Sequence, residues 1–213
     1  MLEKLPDAVG HALRDRRAGL DKTLFSRLPL AAGQGAIQVK SLAFEDHAPL
    51  PARCTADGAG TSPPLQWTGV PGAAESVVLI VEDADAPTPA PLVHAIAANL
   101  PPGDGALPEG ALDKGSDAGA DVDLGRNSLL ATGWLPPDPP PGHGPHRYVF
   151  QLFALGAGPA LGGTPGRDAV MHAVQERGLA SGCLVGTYER HDTTVRTDDA
   201  ATVPVGTVSG AAS

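Results

Sequence analysis

The chain of 213 residues has little of what marks several large protein classes. It has two cysteines, Cys54 and Cys183. Two cannot build a disulfide framework, and they form no CxxC pair, so they read as reduced, partly buried thiols. Positive charge is in deficit: 15 Lys and Arg stand against 24 Asp and Glu, for a formal net charge of −9. That balance argues against nonspecific binding to nucleic acid or to an anionic membrane. No apolar run approaches the roughly 20 residues of a membrane span. Residues 1–30 are charged and lack the apolar core of a secretory leader. A cytoplasmic location is the expectation. The chain also lacks a GxSxG elbow for a serine nucleophile, an HExxH or HxxxH pair for a metal, and a GxGxxG or P-loop for a nucleotide. Neither a metal nor a cofactor is expected.

Glycine and proline are abundant, 27 and 22 residues, and they cluster between apolar runs. Clusters of this kind read as turns of a loop-rich β fold. Residues 77–81 (Val-Val-Leu-Ile-Val) and 147–155 (Arg-Tyr-Val-Phe-Gln-Leu-Phe-Ala-Leu) are the clearest strands. Ile37–Lys40 alternates like a half-buried strand, and residues 93–99 and 184–190 are further candidates. On a regular strand His94, Ile96 and Ala98 share one face. Residues 103–126 and the proline-dense stretch 134–144 read as irregular. A short helix is expected over 168–179.

A longer helix is expected over 7–27, where Val9, Leu13, Leu20 and Leu24 fall on one stripe. It either packs on its own domain or serves as a dimerisation helix, and a homodimer is the expectation. The organisation is thus an N-terminal helix and linker over 1–36, a β domain over 37–190, and a small polar tail over 191–213, with a possible strand at 202–208. The fold class is mostly β: two packed antiparallel sheets with a few peripheral helices and an extra N-terminal helix.

The chemistry gathers at strand ends. Val81 runs into Glu82-Asp83-Ala84-Asp85-Ala86-Pro87, with His94 soon after, and Gly144-Pro145 delivers His146 and Arg147 to the mouth of the next strand. On an extended chain Asp83 and Asp85 face one side, and two carboxylates so close resist joint ionisation without a compensating group. If the ends converge, they form a small polar pocket. Imidazole and backbone N–H groups can donate to phosphate oxygens, while carboxylates can accept from an ammonium. An acidic pair beside imidazoles suits a zwitterionic headgroup better than a bare dianion. Arg147 can pair with Asp83 or Asp85.

Five segments in order resemble one family: Ser62-Pro63-Pro64-Leu65-Gln66-Trp67, Asp83-Ala84-Asp85-Ala86-Pro87, Val93-His94 with Asn99 and Pro101, Gly144-Pro145-His146-Arg147-Tyr148, and Leu184-Val185-Gly186-Thr187-Tyr188. Together they look like the phosphatidylethanolamine-binding protein family, in its bacterial, Raf kinase inhibitor-like branch. The resemblance spans about residues 37–190. It implies two antiparallel sheets in a Greek-key arrangement and a shallow pocket for phosphate-like groups. It carries the ligand-binding role onto Asp83, Asp85, Pro87, His94, His146 and Tyr148, and gives Arg147 a structural role with an aspartate behind the pocket.

Three departures weaken a phosphate site. Ala84 replaces a proline, Ala95 replaces an aromatic, and Leu135-Pro136-Pro137-Asp138 replaces a glycine-bearing loop. Pro136 has no N–H to offer, and Asp138 brings a negative charge. The expected function is a non-catalytic binding protein for a small anionic or zwitterionic ligand such as phosphate or a phosphoethanolamine headgroup, possibly modulating a protein partner. One alternative is a hydrolase or other acid–base enzyme with His94 or His146 as base and Asp83 or Asp85 orienting it. Another is a kinase or protease inhibitor acting through its surface.

Overall fold

The structure, a computed structural model, describes residues 6–30, 33–119 and 121–190. The possible strand at 202–208 lies outside the described residues. Eight strands form two sheets among them. The smaller holds β1 (Gln38–Lys40), β2 (Leu65–Thr68) and β5 (Gly105–Leu107), in the order β1-β2-β5. The larger runs β6-β4-β3-β7-β8: Asp123–Leu124, Leu92–Leu100, Ser76–Asp83, His146–Leu155 and Gly178–Tyr188. Every pairing between these strands is antiparallel. The two-sheet, mostly β expectation holds.

β3 is central and buried on both faces, which is why it reads as an unbroken apolar run. Val77, Leu79 and Val81 face the smaller sheet, packing with Val39, Trp67, Phe150 and Leu152. Val78 and Ile80 face the other way, packing with Phe153, Val170 and Val174. Val170 and Val174 belong to α3 (Arg167–Arg177), which covers this second face. A fully buried side chain of this size contributes about 1.5–3 kcal/mol.

The N-terminal segment completes the second core. Leu24 and Leu28 are buried in it, so residues 24–28 pack on their own domain. The single helix expected over 7–27 is instead two short ones, α1 (Asp7–Leu13) and α2 (Leu24–Arg27). The break has a tertiary cause. The Ala18 and Gly19 N–H groups donate to the Ala86 and Ala84 carbonyls at 2.9 and 2.7 Å, and a continuing helix would have withheld them. Gly19 takes a φ of 105°, open to glycine at little cost.

Three further boundaries differ from expectation. α3 stops at Arg177 because Gly178 is extended and pairs with Leu155, so β8 begins six residues earlier than the expected 184. Within 103–126 the short strands β5 and β6 carry too few residues to show a period. In β4 the alternation is interrupted: Val93 pairs with Glu82 and Ala95 with Val81, leaving His94 as the extra residue of a β-bulge. Val93 consequently joins Ile96 in the second core. A bulge bends its strand and re-aims the side chain it frees.

Candidate functional site

Asp83 ends β3, His146 opens β7, and the bulge at His94 faces them from β4. The three meet at a cavity of about 230 Å³, walled also by Pro87, Pro136, Asp138 and Pro140. The proline-dense loop that cannot join a ladder forms one side of it. The expected convergence of the two strand ends is thus present.

His94 is 4% exposed. Its Nδ1 lies 2.6 Å from the Leu135 carbonyl, and the Leu135 N–H returns a 2.7 Å bond to the His94 carbonyl. A carbonyl only accepts, so Nδ1 carries the proton. Nε2 is then a bare lone pair, and it has no hydrogen-bond partner among the described residues. Burial, the largest influence, lowers the His94 pKa and keeps the ring neutral. The ring is braced edge-on by Tyr148, centroids 5.0 Å apart, and lies 6.1 Å from Trp134.

His146 is held at both nitrogens. Nδ1 meets Asp83 Oδ2 at 2.8 Å, and Nε2 meets Nδ1 of His143 at 2.7 Å. His143 Nε2 in turn donates to the Leu13 carbonyl at 2.8 Å. The Leu13 carbonyl only accepts, so His143 Nε2 carries a proton. Burial and then the neighbouring His146 lower the His143 pKa and favour its neutral form, which leaves Nδ1 to accept from His146 Nε2. The chain of bonds ties α1 to the pocket wall. α1 also sits closely on the 140–143 loop: a Cβ at Gly10 would lie 1.9 Å from the Pro141 carbonyl oxygen.

Asp83 and Asp85 do not share a face. The Asp85 N–H donates to Asp83 Oδ1 at 2.8 Å, so the chain turns there and the alternation of an extended strand does not apply. Asp85 is buried away from the cavity lining, with a two-pronged grip from Arg147 at 2.7 and 2.7 Å and an ion pair to Arg17 at 3.0 Å. Burial alone would raise its pKa, but bonds from Arg147 and Arg17 hold it below the usual carboxylate range. Arg147 thus pairs with an aspartate behind the pocket, as the resemblance implies. Of the six residues singled out from the sequence, Asp83, Pro87, His94 and His146 line the cavity. Asp85 does not, nor does Tyr148, whose buried hydroxyl has no hydrogen-bond partner among the described residues. Burial pushes the Tyr148 phenol well up, so it stays protonated.

The departures also find their places. Pro136 and Asp138 line the cavity, and Asp138 is paired with Arg190, which grips Asp57 at 2.6 Å as well. Ala95 faces the inter-sheet core rather than the pocket. Sequence reasoning missed His143 and Arg17. The first had a signal in the spacing of His143 and His146 around Gly144-Pro145; the second had none.

Fold and site together define a two-sheet β protein with a small histidine-walled pocket at the ends of its central strands. The phosphatidylethanolamine-binding protein family model matches residues 40–189, and the chain belongs to that family. It is 37% identical over 154 residues to a UPF0098 protein of Methanothermobacter thermautotrophicus, covering 72% of this chain and 99% of that one. A Mycobacterium tuberculosis protein named as lipoprotein LppC is 37% identical over 155 residues, covering 72% of each. Among solved structures, the fold is similar to the PEBP homolog CT736 of Chlamydia trachomatis, with TM-score 0.64 and 34% identity over 73% of this chain and 99% of that one. Escherichia coli YbcL gives TM-score 0.67 and 26% identity over 73% and 99%.

Proposed function

We propose that this chain is a non-catalytic binding protein that takes the headgroup of a small ligand, of the phosphoethanolamine type, in the cavity between Asp83, His94 and His146. One observation carries the reading: His94 Nε2 is buried at the cavity wall with no hydrogen-bond partner among the described residues. An unsatisfied buried polar atom costs about 1–3 kcal/mol, and a ligand that meets it recovers that cost.

Supporting the absence of chemistry, the candidate nucleophiles are placed for structure. Burial pushes the Cys54 thiol up to about 11 and also raises Cys183. Ser62 accepts from the Leu112 N–H, and Ser181 bonds to Gln34. Nor does His146 have a nitrogen to spare as a base.

A cytoplasmic location and a homodimer stay part of this reading. No helix among the described residues is long and apolar enough to cross a membrane. One relative carries the name lipoprotein, so cell fractionation is the check on location. Of the stripe that motivated the homodimer, Leu24 is buried in its own domain and Val9 stays exposed, and light scattering checks the oligomeric state. The function itself is tested by thermal-shift titration with phosphoethanolamine. Saturation near one hundred times Kd adds about 2.7 kcal/mol of stability. The shift should vanish in His94→Phe; no shift in the full chain, with this or any small ligand, removes the reading.

A further inference from the structure

We infer that Arg190 is a positioning residue of the pocket: it fastens the proline wall from behind and cancels the charge of Asp138 there, and so keeps the cavity open to an anionic group. The inference rests on the binding reading above. It also gives a role to the close of β8, which the cavity lining does not include.

The wall needs a fastening from outside. Of residues 136–141 only Asp138 has a backbone N–H, so the stretch cannot tie itself down through a ladder. Its carbonyls are held by two neighbours. The Ala56 N–H donates to the Pro137 carbonyl at 2.9 Å, and Arg190 Nη1 donates to the Pro139 carbonyl at 3.1 Å. The same Nη1 pairs with the Asp138 carboxylate. The rest of the guanidinium grips Asp57, Nε to Oδ2 at 2.7 Å and Nη2 to Oδ1 at 2.6 Å. Tyr188, two residues earlier, donates its hydroxyl to Asp57 as well. A planar guanidinium engaged at all three nitrogens is set in one orientation. Arg190 is thus the joint between the pocket wall, the loop that carries Asp57, and the end of β8.

The joint also sets charge. Asp57 and Asp138 bring two negative charges and Arg190 one positive. Asp138 lines the cavity together with Asp83, so without the guanidinium its carboxylate would stand there uncompensated. Arg190 is 9% exposed, and charges this far from water are screened little. Both fields already reach the pocket floor. Beyond the effects of burial and of Asp83, Asp138 raises the Tyr148 pKa and Arg190 lowers it, and the Tyr148 ring braces His94. An anion in the cavity would be repelled by a bare Asp138 and is spared that repulsion while Arg190 holds it.

The test is calorimetry with phosphoethanolamine and inorganic phosphate on the full chain and on Arg190→Gln, Asp138→Asn and the double substitution. Arg190→Gln should weaken both probes at least fivefold. Adding Asp138→Asn should bring affinity back to within about twofold of the unsubstituted chain, because it removes the charge that Arg190 was holding. Damage to the shape of the wall alone would not be repaired that way. If Arg190→Gln binds as tightly as the unsubstituted chain, or the double form binds no better than Arg190→Gln, the inference is overturned while the binding reading stands. If the unsubstituted chain binds neither probe, both fail. Should either Arg190 form not fold, Asp138→Asn carries the test: it leaves the cluster less negative and should bind phosphate at least threefold more tightly, and equal or weaker binding overturns the inference.

Discussion

Two buried polar clusters lie on the same sheet and differ in one respect. Around Glu82 everything is matched: its carboxylate accepts from the Leu24 N–H at 2.8 Å, Gln151 at 2.8 Å and Arg167 at 2.6 Å. Asp85 is matched in the same way by Arg147 and Arg17. A few residues away, His94 Nε2 and the Tyr148 hydroxyl are buried and unmatched among the described residues. The first kind of cluster holds structure, fastening the N-terminal segment and α3 to β3. The second kind is a cost to the folded chain alone, and it makes sense where a ligand supplies what is missing. Full satisfaction is what architecture requires; its absence at a cavity wall is what the proposed binding role rests on.

Substitutions should separate the two clusters, with effects in descending order. Glu82→Ala leaves Arg167, Gln151 and a backbone N–H without their acceptor. Breaking a buried pair of this kind costs about 3–5 kcal/mol, and the midpoint of urea unfolding should fall accordingly. Asp85→Asn weakens the grip on Arg147 and Arg17 and should cost about 1.5–3 kcal/mol by the same measurement. Gly10→Ala forces α1 away from the Pro141 carbonyl. An overpacked contact costs about 1–3 kcal/mol, and limited proteolysis should show earlier cleavage near residues 7–17. His94→Phe should change stability by less than about 1.5 kcal/mol in either direction, since it removes an unsatisfied group while keeping a ring. The same substitution should eliminate ligand binding. A large loss of stability in His94→Phe would place that residue with the structural cluster and erase the distinction.

The pH dependence sharpens the comparison at smaller amplitude. His94 and His143 have pKa values lowered by burial, so the unfolded chain binds protons that the folded chain refuses. Their contribution is complete above the unfolded value of about 6.5 and falls as pH drops below it. The slope is at most about 1.4 kcal/mol per pH unit for each proton. Asp85 acts in a lower window: its depressed pKa stabilises the fold above about 4 and is lost as pH falls through the folded value. Unfolding followed between pH 7.5 and 5 should therefore show a slope that His94→Phe reduces and Asp85→Asn leaves in place.

Much of the sheet was legible in the chain. β3 and β7 are buried on both faces and so read as continuous apolar runs. Asp83, His94 and His146 were legible as a group because they sit in recognisable segments at strand ends. Whatever depended on distant partners was not. The break after Leu13 comes from bonds to the Ala84 and Ala86 carbonyls, about seventy residues away in sequence. The spacing of Asp83 and Asp85 suggested one face, but the turn closed by Asp83 Oδ1 sends them to opposite duties. The proton positions on the imidazoles were not legible for a subtler reason. A histidine in a sequence does not reveal which nitrogen holds the proton; the Leu135 carbonyl decides that at His94, and Asp83 and His143 decide it at His146.

The most direct measurement is a long-range ¹H–¹⁵N correlation spectrum of the histidine side chains at pH 7.5, without ligand. His94 should show a protonated Nδ1 and a bare Nε2, the unpartnered acceptor on which the proposed binding role rests. A protonated Nε2 at His94 would contradict the account.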